Sequence, residues 1–69
     1  MLGEHLRKAR QRRGMSQEKL ALLARVDRSY LSEIERGLKS PTVTILMRLC
    51  AAMEVSAAGI VRKLEKPRH

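Results

Sequence analysis

The chain has 69 residues, of which 15 are Lys or Arg and 7 are Asp or Glu, and its formal net charge is +8. A chain this short buries only ~60% of its unfolded surface, which leaves room for one thin core and argues against an enzyme with a deep pocket. Hydrophobic residues make up 43%, more than a disordered basic tail would carry, so we expect a folded domain that binds a polyanion. A single Tyr is the only aromatic residue, which excludes a platform of stacked rings for single-stranded nucleic acid.

Other classes of protein are excluded by what the sequence lacks. Cys50 is the only cysteine, and His5 and His69 lie far apart, so we expect neither a disulfide nor a metal site, and Cys50 is expected in the core. No apolar run approaches the ~20 residues of a membrane span, and the N-terminus lacks an apolar signal stretch, so we expect a soluble, cytoplasmic protein. The sequence offers no set of residues for hydrolysis, and we expect neither catalysis nor a cofactor.

Helical spacing between clear stop signals predicts an all-α fold of five short helices, without strands. The first helix covers about residues 2–13 and ends at Gly14, which is free to take a positive φ. The second covers about residues 17–24, and Ser16 is its predicted N-cap. The interval between the second and the third helix is very short.

The third helix covers about residues 27–36 and is closed by a glycine. Ser40-Pro41 predicts the start of the fourth helix, with Ser as the cap and Pro in the first turn, where its missing N–H costs nothing. Ser56 is the predicted cap of the fifth helix. We therefore expect a single domain over residues 1–66, followed by a short basic tail, 67–69.

The third helix separates apolar from polar residues. At about 100° per residue, one side carries Tyr30, Leu31 and Ile34 together with Asp27. The other side carries only hydrogen-bonding groups, namely Arg28, Ser29, Ser32, Glu33 and Arg36. A solvated face is the commoner interpretation of such a pattern. We favour a DNA-reading face, because an α-helix fits the major groove. There Arg can read guanine, Glu can read cytosine and Ser can contact either type of base. The positive net charge also suits binding to phosphates.

Several segments resemble the Cro/repressor-type helix-turn-helix family, often called the XRE family. They are residues 6–15 of the first helix and turn, Ser-Gln-Glu-Lys-Leu-Ala at 16–21, Tyr-Leu-Ser-Glu-Ile-Glu-Arg-Gly at 30–37 and Ser-Pro-Thr at 40–42. The resemblance extends from Leu6 to Ile60 in the correct order. It implies a compact five-helix, lambda-repressor-like domain, with the helix-turn-helix at helices 2 and 3, that binds double-stranded DNA as a symmetric dimer.

Two sets of contact residues follow from this resemblance by position. The implied base-reading residues are Arg28, Ser29 and Glu33, with Ser32 beside them. The implied phosphate-binding residues are Gln17, Arg36 and Lys39. The first helix also carries the basic run Arg7, Lys8, Arg12 and Arg13. A solvated face explains this run as well as phosphate contact does, and we favour phosphate contact at Arg12 and Arg13, which lie near the turn.

The family often pairs an arginine of the first helix with the glutamate of the Glu-Arg-Gly ending, which here implies a salt bridge between Arg10 and Glu35. A bidentate pair would lock the reading helix to the scaffold, although desolvating two charges can make its net stabilisation small. Arg25 and Glu54 stand where the family usually has glycine. A positive φ at Arg25 would cost on the order of 1 kcal/mol, and its cation could reach DNA phosphate.

Two functions from different classes remain open. The first is a transcriptional regulator whose dimer sets two recognition helices about 34 Å apart on an inverted repeat, and which blocks promoters or contacts RNA polymerase, with no small-molecule ligand expected. The second is a protein-interaction module of the same fold, such as an antitoxin or a transcription-bridging factor, with little base readout and a large exposed apolar patch. Candidate dimer contacts are Met47, Val55 and Ile60, and Leu22 and Leu23 belong either to this patch or to a satellite core.

Overall fold

The computed structural model describes residues 2–64, except for the side chain of Lys63. Five helices follow one another along the chain: α1 (Leu2–Arg12), α2 (Gln17–Ala24), α3 (Arg28–Glu35), α4 (Val43–Met53) and α5 (Ala57–Leu64). Residues 2–64 contain no strand, and the predicted five-helix, all-α fold is confirmed. No helix in this range is long and apolar enough to cross a membrane. The predicted tail, 67–69, lies outside the described residues.

One hydrophobic core joins all five helices. Its most deeply buried side chains are Leu6, Leu20, Leu31, Ile34, Leu49, Cys50 and Met53. Around them, α2 packs against α3 and α4, while α1 packs against α3 and α5. Burial raises the pKa of the Cys50 thiol, so the neutral form is favoured, and its predicted place in the core is confirmed. Each fully buried aliphatic side chain contributes roughly 1.5–3 kcal/mol, so this small set carries much of the stability.

Serine side chains cap two of the helices. The Ser16 hydroxyl accepts a hydrogen bond from the amide of Lys19 at 3.0 Å, and α2 has the predicted bounds. At α5, the Ser56 hydroxyl accepts from the amide of Gly59 at 3.1 Å. Both predicted caps are confirmed by these hydrogen bonds. Each hydroxyl accepts from an amide that the first helical turn leaves without a partner.

The starts of α3 and α4 differ from the sequence prediction. Asp27 is the N-cap of α3 rather than its first residue, and its carboxylate accepts from the amide of Tyr30 at 3.2 Å. The predicted start of α4 at Ser40-Pro41 is wrong. The cap is Thr42, whose hydroxyl accepts from the amide of Ile45 at 3.2 Å. Ser and Thr cap helices almost equally well, so local sequence alone does not choose between two hydroxyls so close together.

Two helices end on a non-glycine residue in the left-handed conformation. Arg25, after α2, and Glu54, after α4, both have φ of 58°. Each costs on the order of 1 kcal/mol relative to glycine. Arg25 therefore adopts the left-handed conformation that a glycine would adopt easily. Its backbone N–H donates to the carbonyl oxygens of Ala21 and Leu22 at the end of α2. The position of α3 relative to α2 thus does not depend on a glycine in the turn.

The beginning of α1 lies directly against the end of α3. Gly3 is buried there, and a Cβ atom at this position would overlap the carbonyl oxygen of Ile34 and come within 2.9 Å of the carbonyl oxygen of Glu35. A side chain at position 3 would therefore push the two helices apart. This close approach fixes α1 relative to the C-terminal turn of α3.

Candidate nucleic-acid interface

The two sides of α3 have opposite chemistry. Leu31, Ile34 and Glu35 are buried against the rest of the domain. The outer side of α3, together with the first residue of α2 and the residue that follows α3, lines one open groove. The residues of this groove are Gln17, Arg28, Ser29, Ser32, Glu33 and Arg36. We call it the reading groove.

The reading groove brings together all four predicted base-reading residues. Arg28 and Ser29 are exposed at the start of α3, and Ser32 and Glu33 are half-buried one turn later. Two predicted phosphate-binding residues, Gln17 and Arg36, line the same groove. Every side chain that lines it can form hydrogen bonds, which is the property needed to read base edges. The helical-wheel prediction for the polar side of α3 therefore agrees with the observed exposure.

Below this groove, Arg10 and Glu35 form the ion pair that the family resemblance implies. The Arg10 guanidinium donates to both Glu35 carboxylate oxygens, with Nε–Oε2 at 2.8 Å and Nη2–Oε1 at 3.0 Å. Its Nη1 donates to the carbonyl oxygen of Met15 at 2.8 Å. Only 11% of the Arg10 side chain and 2% of the Glu35 side chain are exposed. A bidentate pair this deeply buried holds α1, the following turn and α3 in one geometry.

Gln17 also contacts this pair, and the sequence did not predict that contact. Its Nε2 donates to Glu35 Oε1 at 3.0 Å, so Glu35 connects α1, α2 and α3. An ionised carboxylate can only accept hydrogen bonds, so the amide nitrogen of Gln17 must face Glu35. One N–H and the carbonyl oxygen of Gln17 remain for another partner. Residues 16–21 resemble the family, but this resemblance does not specify a hydrogen bond between Gln17 and Glu35.

A second charged pair lies at the edge of the reading groove. Lys39 Nζ is 3.6 Å from Glu33 Oε1, and 34% of the Glu33 side chain is exposed. The same ammonium lies 6.0 Å from the centroid of the Tyr30 ring, whose hydroxyl donates to the carbonyl oxygen of Ser40 at 3.4 Å. Exposed pairs of this kind contribute about 0–1 kcal/mol. The pair therefore sets the local charge around Glu33 more than it stabilises the fold.

The structure does not bring Arg12 and Arg13 to the reading groove. Both line a cavity between α1 and α5, next to Ser56. Arg13 donates through Nε to the carbonyl oxygen of Met53 at 2.7 Å and through Nη2 to that of Glu54 at 3.1 Å. Its guanidinium thus caps the end of α4 instead of projecting toward a phosphate beside α3. Arg12 lies two residues after Arg10 and therefore on the side of α1 that faces away from α3, and Arg13 follows the last residue of the helix.

The remaining predicted residues occupy different environments. Arg25 is exposed in the turn between α2 and α3. Of the candidate dimer contacts, Met47 is 57% exposed and Val55 is half-buried, but Ile60 is only 5% exposed and belongs to the core of the single chain. Ile60 is therefore not available as a surface contact. Within residues 2–64, no group of three His, Cys, Asp or Glu side chains could hold a metal ion.

Comparison with known proteins identifies the class. A helix-turn-helix family model matches residues 6–60. The chain therefore belongs to the XRE-type helix-turn-helix family, as its segments predicted. This family consists of transcriptional regulators rather than enzymes.

Individual relatives share both sequence and fold with the chain. The transcriptional regulator ClgR of Mycobacterium tuberculosis is 40% identical over 61 residues, covering 88% of this chain and 54% of the relative. The chain thus spans about half the length of this relative. A crystal structure of the biofilm regulator SinR in complex with DNA superimposes with a TM-score of 0.84 at 35% identity, covering 88% of this chain and 98% of that one. The restriction-modification controller protein C.AhdI from Aeromonas hydrophila gives a TM-score of 0.83 at 34% identity, covering 86% of this chain and 89% of that one.

Proposed function

We propose that this chain is the DNA-binding domain of a sequence-specific transcriptional regulator and that it sets α3 in the major groove of double-stranded DNA. The observation that carries this proposal is the reading groove. Its six side chains are all capable of hydrogen bonding, four of them project from one short helix, and the opposite side of that helix is buried in the core. The solved complex of SinR with DNA supports the same use of the fold.

The side chains in the groove differ in what they can recognise. Arg28 is suited to bidentate contact with guanine, and Glu33 to accepting a hydrogen bond from the amino group of cytosine. Ser29 and Ser32 can donate to or accept from several bases. Gln17 and Arg36 lie at the borders of the same groove, where an N–H and a guanidinium suit backbone phosphates. The net charge of +8 supplies the long-range attraction.

The proposed regulator acts as a dimer on an inverted repeat. Two copies of α3 would then enter successive major grooves about 34 Å apart. Exposed apolar side chains on α4 and α5, among them Met47, Val61 and Leu64, support an interface with a second copy. In this proposal, the protein acts in the cytoplasm by occupying promoter DNA, and it either blocks transcription or contacts RNA polymerase there.

In vitro selection of duplex DNA from a random pool tests this function. We expect the chain to enrich an inverted repeat whose two half-sites are about one helical turn apart. The same selection with an Arg28→Ala/Glu33→Ala double variant is the control, and it should lose the consensus while the protein stays folded. If the wild-type chain enriches no sequence, the proposed function is wrong and a protein-interaction module of the same fold becomes the better explanation.

A further inference from the structure

One side of α1 faces α3 along its length. Gly3, Arg7 and Arg10 are spaced by four and three residues and therefore lie on the same side of the helix. Gly3 contacts the last turn of α3, and Arg10 pairs with Glu35 near its end. Arg7 lies between these two contact points. The relative position of α1 and α3 is thus fixed on both sides of Arg7.

Arg7 and Arg36 lie next to each other on the surface. They line two neighbouring openings between α1 and α3, one shared with Glu4 and Gly37 and the other with Gln17, among other residues. Because Gln17 and Arg36 also line the reading groove, the polar surface continues from that groove across Arg36 to Arg7. Arg7 therefore adjoins the face that the proposed function places against DNA.

Neither of these guanidinium groups forms an ion pair with a described residue. The ion pairs within residues 2–64 involve Arg10, Arg13 and Lys39, and neither Arg7 nor Arg36 takes part in one. Glu4 lines the opening that contains Gly37 without forming an ion pair with either arginine, and Glu35, which lines both openings, is paired with Arg10. Two adjacent, exposed arginines without a carboxylate partner repel each other, and a shared anion would remove that repulsion.

We propose that Arg7 and Arg36 together hold a phosphate of the DNA backbone beside the bases read by α3. This inference rests on the proposed function and adds α1 to the contact surface. A guanidinium suits this role because its planar N–H groups match phosphate oxygens. The close contact at Gly3 and the pair of Arg10 with Glu35 hold the backbone of α1 in place before DNA arrives, so little main-chain ordering is needed on binding.

The test is the salt dependence of DNA binding by an Arg7→Gln variant. Fluorescence anisotropy would be measured on the selected duplex and on a scrambled duplex, between about 50 and 200 mM salt. We expect the variant to lose roughly tenfold in affinity on both duplexes, because a phosphate contact carries no sequence information. The slope of log K against log salt should become shallower by about 1. Arg7→Lys keeps the charge and should keep most of the slope.

Arg62→Gln on α5 is the matched control, because it removes the same charge from an exposed arginine on a helix that packs against α1 and α4. The inference is wrong if Arg7→Gln and Arg62→Gln change the slope equally, or if Arg12→Gln makes it shallower while Arg7→Gln does not. Failure of the proposed function would look different, since the wild-type chain would then select no duplex at all. Equal circular dichroism melting curves would show that each variant is folded.

Discussion

Glu33 and Glu35 stand two residues apart in the same helix, and each pairs with a basic side chain. Glu35 is almost completely buried and accepts three hydrogen bonds from Arg10 and Gln17. Glu33 is one-third exposed and has Lys39 at 3.6 Å. The two carboxylates thus lie on the two sides of α3, one toward the scaffold and the other in the reading groove.

One side of α3 therefore stabilises the fold, and the other side is available for recognition. A buried, fully hydrogen-bonded carboxylate cannot exchange its partners, so Glu35 holds three helices together. An exposed carboxylate with a single long contact loses little when that contact breaks, so Glu33 is free to exchange Lys39 for a base. Chemistry alone does not distinguish the two residues, whereas burial does.

The largest expected effect comes from breaking the buried pair. Arg10→Met leaves the Glu35 carboxylate buried with Gln17 as its remaining donor, which should lower the free energy of unfolding by about 3–5 kcal/mol. A domain of this size has only about 3–10 kcal/mol in total, so the variant should melt far below the wild type or fail to fold. Urea denaturation followed by circular dichroism at 222 nm measures the difference.

Two further variants control this experiment. Arg7→Met makes the same substitution one turn earlier at an exposed position and should change stability by no more than about 0.5 kcal/mol. Arg10→Met/Glu35→Met removes both charges and should be more stable than Arg10→Met alone, because no unpaired carboxylate stays buried. If Arg10→Met and Arg7→Met are equally stable, the buried pair does not hold the helices together.

An intermediate effect is expected at Arg28. Arg28→Ala should weaken binding to the selected duplex by about 1–3 kcal/mol and relax the preference at one base pair, while leaving the melting temperature nearly unchanged. Anisotropy titrations against duplexes substituted at single positions measure both quantities, with Arg62→Ala as the control. A uniform loss on every duplex would instead show that Arg28 binds phosphate and does not read a base.

Only a small effect on stability is expected at Glu33. Glu33→Gln should alter the free energy of unfolding by less than about 1 kcal/mol, because its partner Lys39 lies at the surface. Its selected sequence should nevertheless change from cytosine to adenine at one position, since an amide suits adenine. Lys39→Gln is the control, and it should keep the cytosine. An unchanged consensus for Glu33→Gln would show that this carboxylate only neutralises Lys39.

Much of this architecture follows from local sequence. The bounds of α2 and the caps Ser16 and Ser56 are as predicted, because each depends on neighbouring residues alone. The polar side of α3 was also predictable, since it depends on helical periodicity. The start of α4 was not, because Ser40 and Thr42 both offer a capping hydroxyl and the structure uses Thr42.

The features of the site that the sequence did not predict are contacts between distant segments. The sequence favours phosphate contact at Arg13, whereas in the structure its guanidinium caps the end of α4, forty residues away. The family resemblance implies phosphate contact for Gln17 and does not predict that its side-chain amide donates to Glu35. Both side chains are long and polar, and such residues take whichever acceptor the tertiary fold places within reach. Periodicity predicts the side of a helix on which they lie, but not the partner that they find.

In the proposed complex, the polar side of α3 contacts DNA while its apolar side stays in the core. The most direct measurement is a two-dimensional amide NMR titration of the uniformly ¹⁵N-labelled chain with the selected duplex. We expect the largest shift changes at residues 28–36 and at the side-chain amide of Gln17, with little change at the exposed Leu22 of α2. Shift changes centred on the exposed apolar residues, with α3 unaffected, would contradict it.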